Sequence, residues 1–220
     1  LSAGSEGRDP EGGERVPPCG DFQSLTLQCG ALRVFIVASR RGRRVVLCLT
    51  GQRIALLALD RELAELQAGS RSAFFNAIAV RPEPIWPPAP FEPHALDWAA
   101  KNLAHDPEGE GWYGWAILAN EGERAPPRLI GIAALIGRPD DVGDVELAFG
   151  LLPDYRGRGL AGDTVRTLAA WAFQNGARRL IVHLDAEDQS TAQLLSRSGF
   201  ADTGEMEYPG VARWALSPSA

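Results

Sequence analysis

Two neighbouring groups of residues have the types and spacing to do chemistry. The first is "PDYRGRGLAGDT", residues 153–164, where glycines and arginines separate an apolar run from a long helical pattern. The opening amides of a helix have no partner within it, and the aligned peptide dipoles leave that end partly positive. Glycine lets a backbone come close to an anion, so such a tract suits a phosphate. The second group centres on Glu146 in "DVELAFG", residues 144–150. On a strand, Val145, Leu147 and Phe149 share one face, and Glu146, Ala148 and Gly150 share the other. A carboxylate beside two small residues leaves space for a ligand or a water and is suited to take a proton. Asp144, nearer the turn, is the next choice.

Three phosphate motifs compete for the tract. The mononucleotide loop G-x-x-x-x-G-K-[ST] is met at Gly157, Gly162 and Thr164, but Asp163 stands where its lysine belongs and would repel a phosphate. The dinucleotide fingerprint G-x-G-x-x-G is met by Gly157, Gly159 and Gly162, with Asp185 downstream for a ribose contact. Against it, "PDYR" separates the strand from the first glycine, and too little chain follows for more parallel strands. A nicotinamide-dependent oxidoreductase is therefore a rival reading. The third motif, R/Q-x-x-G-x-G/A, is met by Arg156-Gly157-Arg158-Gly159-Leu160-Ala161. With "SGF" at 198–200, this segment resembles the pyrophosphate loop of the GNAT superfamily of N-acetyltransferases. "IWPPAP" and "GWYGWAIL" upstream are similar to the subgroup of ribosomal-protein N-terminal (alanine/serine) acetyltransferases. The resemblance spans about Thr50 to Leu216.

The resemblance implies an acetyl transfer from acetyl-CoA to a primary amine by direct attack in a ternary complex, without a metal. It implies that the amides of Arg158 to Ala161 ring the phosphate oxygens, with Arg156, Gly157, Arg158, Gly159 and Leu160 forming the loop. It implies thioester and pantetheine contacts from the strand at Phe149, Gly150 and Leu151, which would splay from its neighbour. It gives Glu146 the role of base. The family's common tyrosine acid is replaced by Leu195, and the usual N-x-x-S helix opening reads Asp188-Gln189-Ser190-Thr191. Asp188 then falls to the carrier site, and Ser190 or Thr191 to the acid; all three also make good helix caps. Tyr208 is a further acid candidate, although "EYPG" reads as a surface turn. Trp86, Trp112 and Trp115 are the aromatic candidates for the acceptor pocket or for the core. His183, in an apolar strand, and His94 and His105, at helix ends, receive no role.

These groups need elements to hold them. Residues 1–48 read as an extension, disordered over residues 1 to about 30, which are rich in Gly, Pro, Ser and charge, and then a hairpin of "LRVFIVAS" and "RVVLCLT" joined by "RRGRR", with Gly42 suited to the turn. Residues 49–220 read as the acetyltransferase domain. In it, "RIALLAL" is a strand, Asp60 caps the helix "RELAELQA" and Gly69 closes it. "PHALDWAAKNLAH" is a helix with Pro93 in its first turn. Three strands follow, "WYGWAILAN", "RLIGIAALIG" and "DVELAFGLL", as an antiparallel meander. A helix runs from about Leu160 to Asn175, then the strand "RRLIVHL", the helix "QSTAQLLSRS" and one or two strands from "MEYPGVARWAL". The fold class is α/β, a mixed and mostly antiparallel sheet flanked by helices.

Composition narrows the function classes. A net charge of −6 argues against nucleic-acid or anionic-membrane partners. No apolar run approaches the roughly 18 residues of a membrane span, and no basic-then-apolar leader stands at the N-terminus. Three cysteines, all in the first quarter and without metal-ligand spacing, fit a reducing cytoplasm. Lys101 is the single lysine among 22 basic residues, as in a GC-rich bacterial genome. The expectation is a cytoplasmic enzyme acting on a protein N-terminus or a small-molecule amine; dimers are common in the resembled family. A non-catalytic acyl-CoA-binding domain is the other rival.

Overall fold

The computed structural model describes residues 32–39, 42–119 and 127–218, with side chains from Val46 onward. The expected disorder of residues 1 to about 30 and the turn at 40–41 lie outside the described residues. The strands are β1 (Leu32–Ser39), β2 (Gly42–Thr50), β3 (Ile54–Ala58), β4 (Trp115–Ala119), β5 (Arg128–Leu135), β6 (Asp144–Leu151), β7 (Arg179–Asp185), β8 (Ala201–Tyr208) and β9 (Val211–Leu216). The helices are α1 (Arg61–Gly69), α2 (Arg71–Ala77), α3 (Pro93–His105), α4 (Leu160–Gln174) and α5 (Gln189–Arg197). The strands form one sheet in the order β1-β2-β3-β4-β5-β6-β7-β9-β8. Every neighbouring pair is antiparallel except β6–β7. That single parallel pair is far from the parallel sheet a dinucleotide fold needs.

The meander is β4-β5-β6, as expected. The N-terminal hairpin is β1–β2, with Gly42 as its first β2 residue, opposite Ser39, and it continues the sheet beyond β3. The final segment is a two-stranded hairpin, β8–β9, whose outer strand is exposed along its whole length. Asp60 caps α1, its Oδ1 accepting from the Leu63 amide at 3.0 Å. Gly69 does not stop α1 as expected: it is the last helical residue, and Ser70 takes over. The Ser70 amide donates to Leu66 O, while its hydroxyl accepts from the Ala73 amide and starts α2. The apolar pair Phe74 and Phe75 makes this short helix worthwhile, both fully buried and packed on the Trp86 ring.

Two layers of helix cover the sheet. On one face, Trp171 of α4 packs between Trp112 and Trp115, with ring centroids 4.8 and 5.2 Å apart. Trp115 is opposite Ala133, and Ala133 opposite Phe149, so this is the face of Val145, Leu147 and Phe149. The other face carries α1 and α3, which contact each other. Gln67 of α1 and the apolar residues of α3, with Phe91 and Tyr113, meet Ile132, Ala134 and Ile136 of the β5 region. Glu146 and Ala148 project on this second face. Cys48 is buried in the sheet, and burial pushes its thiol up to about 12, so it serves packing rather than nucleophilic chemistry.

Candidate active site

The parallel pair is short. β6 is in register with β7 over Asp144–Arg179, Val145–Leu180 and Glu146–Ile181, and then the strands part. β6 continues to pair with β5 as far as Leu151 opposite Gly131. A gap therefore opens beyond Glu146. The Glu146 carbonyl accepts from the Ile136 amide, and the Leu152 amide donates to Ile130 O, so even-numbered residues turn their backbone toward β5. By alternation, the amides of Phe149 and Leu151 point into the gap. The Leu151 carbonyl is met on that side by Nε of Arg156 at 2.9 Å.

The glycine-arginine tract spans from β6 to α4 across a 3-10 turn at Pro153–Tyr155. Gly157 and Gly159 have φ of 71° and 74°, the left-handed region that side chains avoid. Gly159 is the N-cap of α4 and offers it no side-chain bond, so the first amides of that helix are left for another acceptor. The Arg158 guanidinium lies over the Tyr155 ring, 5.5 Å from its centre. Arg156, Gly157, Arg158 and Gly159 are exposed, Ala161 is half-buried and Leu160 is anchored in the core.

Asp163, the residue at odds with a mononucleotide loop, is 3% exposed and turns away from the tract. Its carboxylate accepts from the amides of Gln52 at 3.2 Å and Arg53 at 2.7 Å. A carboxylate in the first turn also complements the helix dipole. This clamps the β2–β3 turn onto the start of α4 and delivers Arg53, whose Nη1 donates to Arg158 O at 2.7 Å. Arg53 is a third arginine at the tract, and the sequence reading missed it. No local pattern marks it, since its partner lies 105 positions away.

Glu146 sits at the mouth of the gap with its side chain 42% exposed. Oε1 lies 3.2 Å from Nδ1 of His183, and Nε2 of His183 lies 3.5 Å from Oε2 of Glu207. That Nε2 is buried and has no aligned hydrogen bond. His183 thus joins a site from which the sequence reading left it out. Asp144 is held differently. Nε and Nη2 of Arg179 grip it at 2.8 and 2.6 Å, and Nη2 of Arg213 adds a contact at 3.1 Å. The Arg179 hydrogen bonds hold its carboxyl below the usual range, which suits a structural anion rather than a base. Among the described residues, no group of three or more His, Cys, Asp or Glu is arranged to hold a metal ion.

The space beside Gly150 is filled. A Cβ there would fall 2.3 Å from the Ala89 carbonyl oxygen, so glycine lets the proline-rich loop sit on the strand. Asp188 caps α5, accepting from the Thr191 amide at 3.0 Å and the Thr191 hydroxyl at 2.6 Å. The Thr191 bonds hold the Asp188 carboxyl below its ordinary value. Ser190 is exposed beside them, Leu195 is fully buried, and Tyr208 is exposed at the end of β8. The three tryptophans do not converge. Trp112 and Trp115 belong to the core around Trp171, while Trp86 packs on Phe74 and Phe75. On the Glu146 face, α1 and α3 enclose a cavity of about 40 Å³, walled by Leu59, Phe91, Leu96, Tyr113 and Ile132. Gln67 lines it, and the buried Nε2 of Gln67 has no partner among the described residues.

A family model described as an acetyltransferase (GNAT) domain matches residues 62–201. No curated protein matches the chain in sequence. Among solved structures, the apo form of RimL, a ribosomal L7/L12 α-N-protein acetyltransferase, has a TM-score of 0.54 at 12% identity, covering 83% of this chain and 99% of its own. The ribosomal-protein-S5-alanine acetyltransferase from Vibrio fischeri has a TM-score of 0.53 at 14% identity, covering 77% and 96%. A chimera of the spermidine N-acetyltransferase SpeG from Vibrio cholerae and hSSAT has a TM-score of 0.51 at 17% identity, covering 76% and 96%. These likenesses concern the fold.

Proposed function

Because the chain belongs to the GNAT acetyltransferase family, we propose that it moves an acetyl group from acetyl-CoA to a primary amine by direct attack within a ternary complex. The observation that carries the reading is the gap between β6 and β7, into which two strand amides point, beside a helix start with uncapped amides. Acetyl-CoA supplies a thioester, whose carbonyl carbon is the electrophile. The amides of Arg158, Gly159, Leu160 and Ala161 hold its diphosphate, with Arg53, Arg156 and Arg158 adding charge. The amides of Phe149 and Leu151 bind along the gap and donate where negative charge develops. Glu146 takes a proton from the ammonium form of the acceptor, leaving an amine able to attack. Thr191 already donates its hydroxyl proton to Asp188, so Ser190 is the hydroxyl at this turn proposed to face the leaving sulfur.

The acceptor approaches over Glu146, on the face that carries the cavity with Gln67. The apolar walls suit the uncharged part of a protein N-terminus or of a small amine. The fold neighbours include both ribosomal-protein and spermidine acetyltransferases, and both acceptor types belong in the trial panel. The test is an amine panel with detection of free thiol, alongside calorimetric titration with CoA and with NAD. Turnover of at least one amine is expected, with kcat lowered on the order of 100-fold by Glu146→Gln and CoA affinity unchanged. CoA binding without turnover of any amine would make the chain a non-catalytic binder. Binding of NAD alone would end the reading.

A further inference from the structure

We propose that His183 is a proton-relay and positioning residue, passing the proton collected by Glu146 to Glu207 and so to solvent; this rests on the acetyl-transfer reading above. Glu146 pairs with Ile181, the last registered pair before the strands part. His183 is two residues further along β7, on the same face, and so stands at the mouth of the gap. Its ring spans two carboxylates from two other strands, 3.2 Å from Glu146 and 3.5 Å from Glu207. An imidazole can accept at one nitrogen while it donates from the other. The step balances. The proton on Glu146 Oε1 moves to Nδ1; the exposed Glu207 side chain swings into line with Nε2, which has no aligned partner at rest, and takes its proton on Oε2; the ring stays neutral, and exchange with water restores its starting tautomer.

The surroundings favour this route over a purely structural ion cluster. Arg213 of β9 is in register with His183. Its guanidinium is committed to Asp144 and to Oε2 of Glu205 at 2.6 Å, and Arg179 is committed to Asp144. The charged groups facing the ring are therefore Glu146 and Glu207, with the nearby arginines already matched. An acceptor lying over Glu146 would cut its direct contact with water. Glu207, on the outer and exposed strand β8, keeps that contact. A half-exposed carboxylate–imidazole contact contributes little to stability, so a structural role alone predicts small effects on folding and none on the chemical step.

The experiment compares His183→Gln, Glu207→Gln, Glu146→Gln and the double variant Glu146→Gln/His183→Gln, using an amine that the wild type turns over. His183→Gln should lower kcat about 10- to 100-fold with the KM for acetyl-CoA unchanged, and Glu207→Gln about 3- to 10-fold. The double variant should be no slower than Glu146→Gln alone, because both act in one path. Added imidazole should restore part of the kcat lost in His183→Gly, which a packing role would not allow. If the glutamine variant does not fold, His183→Asn takes its place. Wild-type kcat in the glutamine variant, multiplicative losses in the double variant, or a slowed and folded His183→Gly that imidazole does not rescue would each overturn the relay and leave acetyl transfer standing. A wild type inactive with every amine would remove both.

Discussion

Gly150→Ala is the sharpest probe of how the candidate site is built. The new methyl would lie 2.3 Å from the Ala89 carbonyl oxygen, 3.0 Å from the Ala89 carbonyl carbon and 3.1 Å from Cδ of Pro90. These are backbone and ring atoms without a rotamer to escape into. The loop must retreat by about 1 Å to reach an ordinary van der Waals separation. Strand β6 cannot yield instead, because it is paired with β5 through Leu151. Overpacking of this kind costs about 2 kcal/mol. For a domain of this size that lowers Tm by about 4–8 °C. Thermal denaturation followed by circular dichroism reads the shift. The same variant should bind CoA more weakly, because the displaced contact lies between the two amides assigned to the gap. An unchanged Tm would show that the loop does not rest on β6 and would refute the reason given for the glycine.

Two further perturbations test the frame around the site. Gly69→Ala should stabilise the protein by about 0.5–1 kcal/mol, since nothing lies within 4 Å of the added methyl and Gly69 is helical; a fall in Tm would show that the α1–α2 junction needs glycine after all. Asp144→Asn should destabilise by about 2 kcal/mol at neutral pH, the worth of charged hydrogen bonds to Arg179. The Asp144 carboxyl is held below its ordinary value, so its contribution is present above the unfolded carboxylate range and disappears as pH falls through the lower folded value. Urea unfolding at pH 7 and pH 3 should therefore show the variant and wild type converging in acid, and a gap that widens instead would refute the assignment.

The elements with short-range causes were legible in the chain itself. Asp60 before "RELAELQA", Pro93 at the start of α3, the alternation in β6 and the glycines around 157–159 each act on residues a few positions away, and the structure has them as read. The arginine-glycine motif also located the start of α4, because a turn into a helix leaves a compositional mark. Other features are written in pairs distant in sequence. The opening between β6 and β7 depends on where two strands stop pairing. Arg53 reaches the tract only because Asp163, 110 positions later, binds its amide. His183 is an unremarkable residue of an apolar strand until the β6–β7 register and the β8–β9 hairpin bring a carboxylate to each nitrogen. Trp112 and Trp115 became core rather than pocket when Trp171 arrived from α4. Periodicity and capping act through local backbone geometry, whereas these contacts arise from packing that only the assembled sheet supplies.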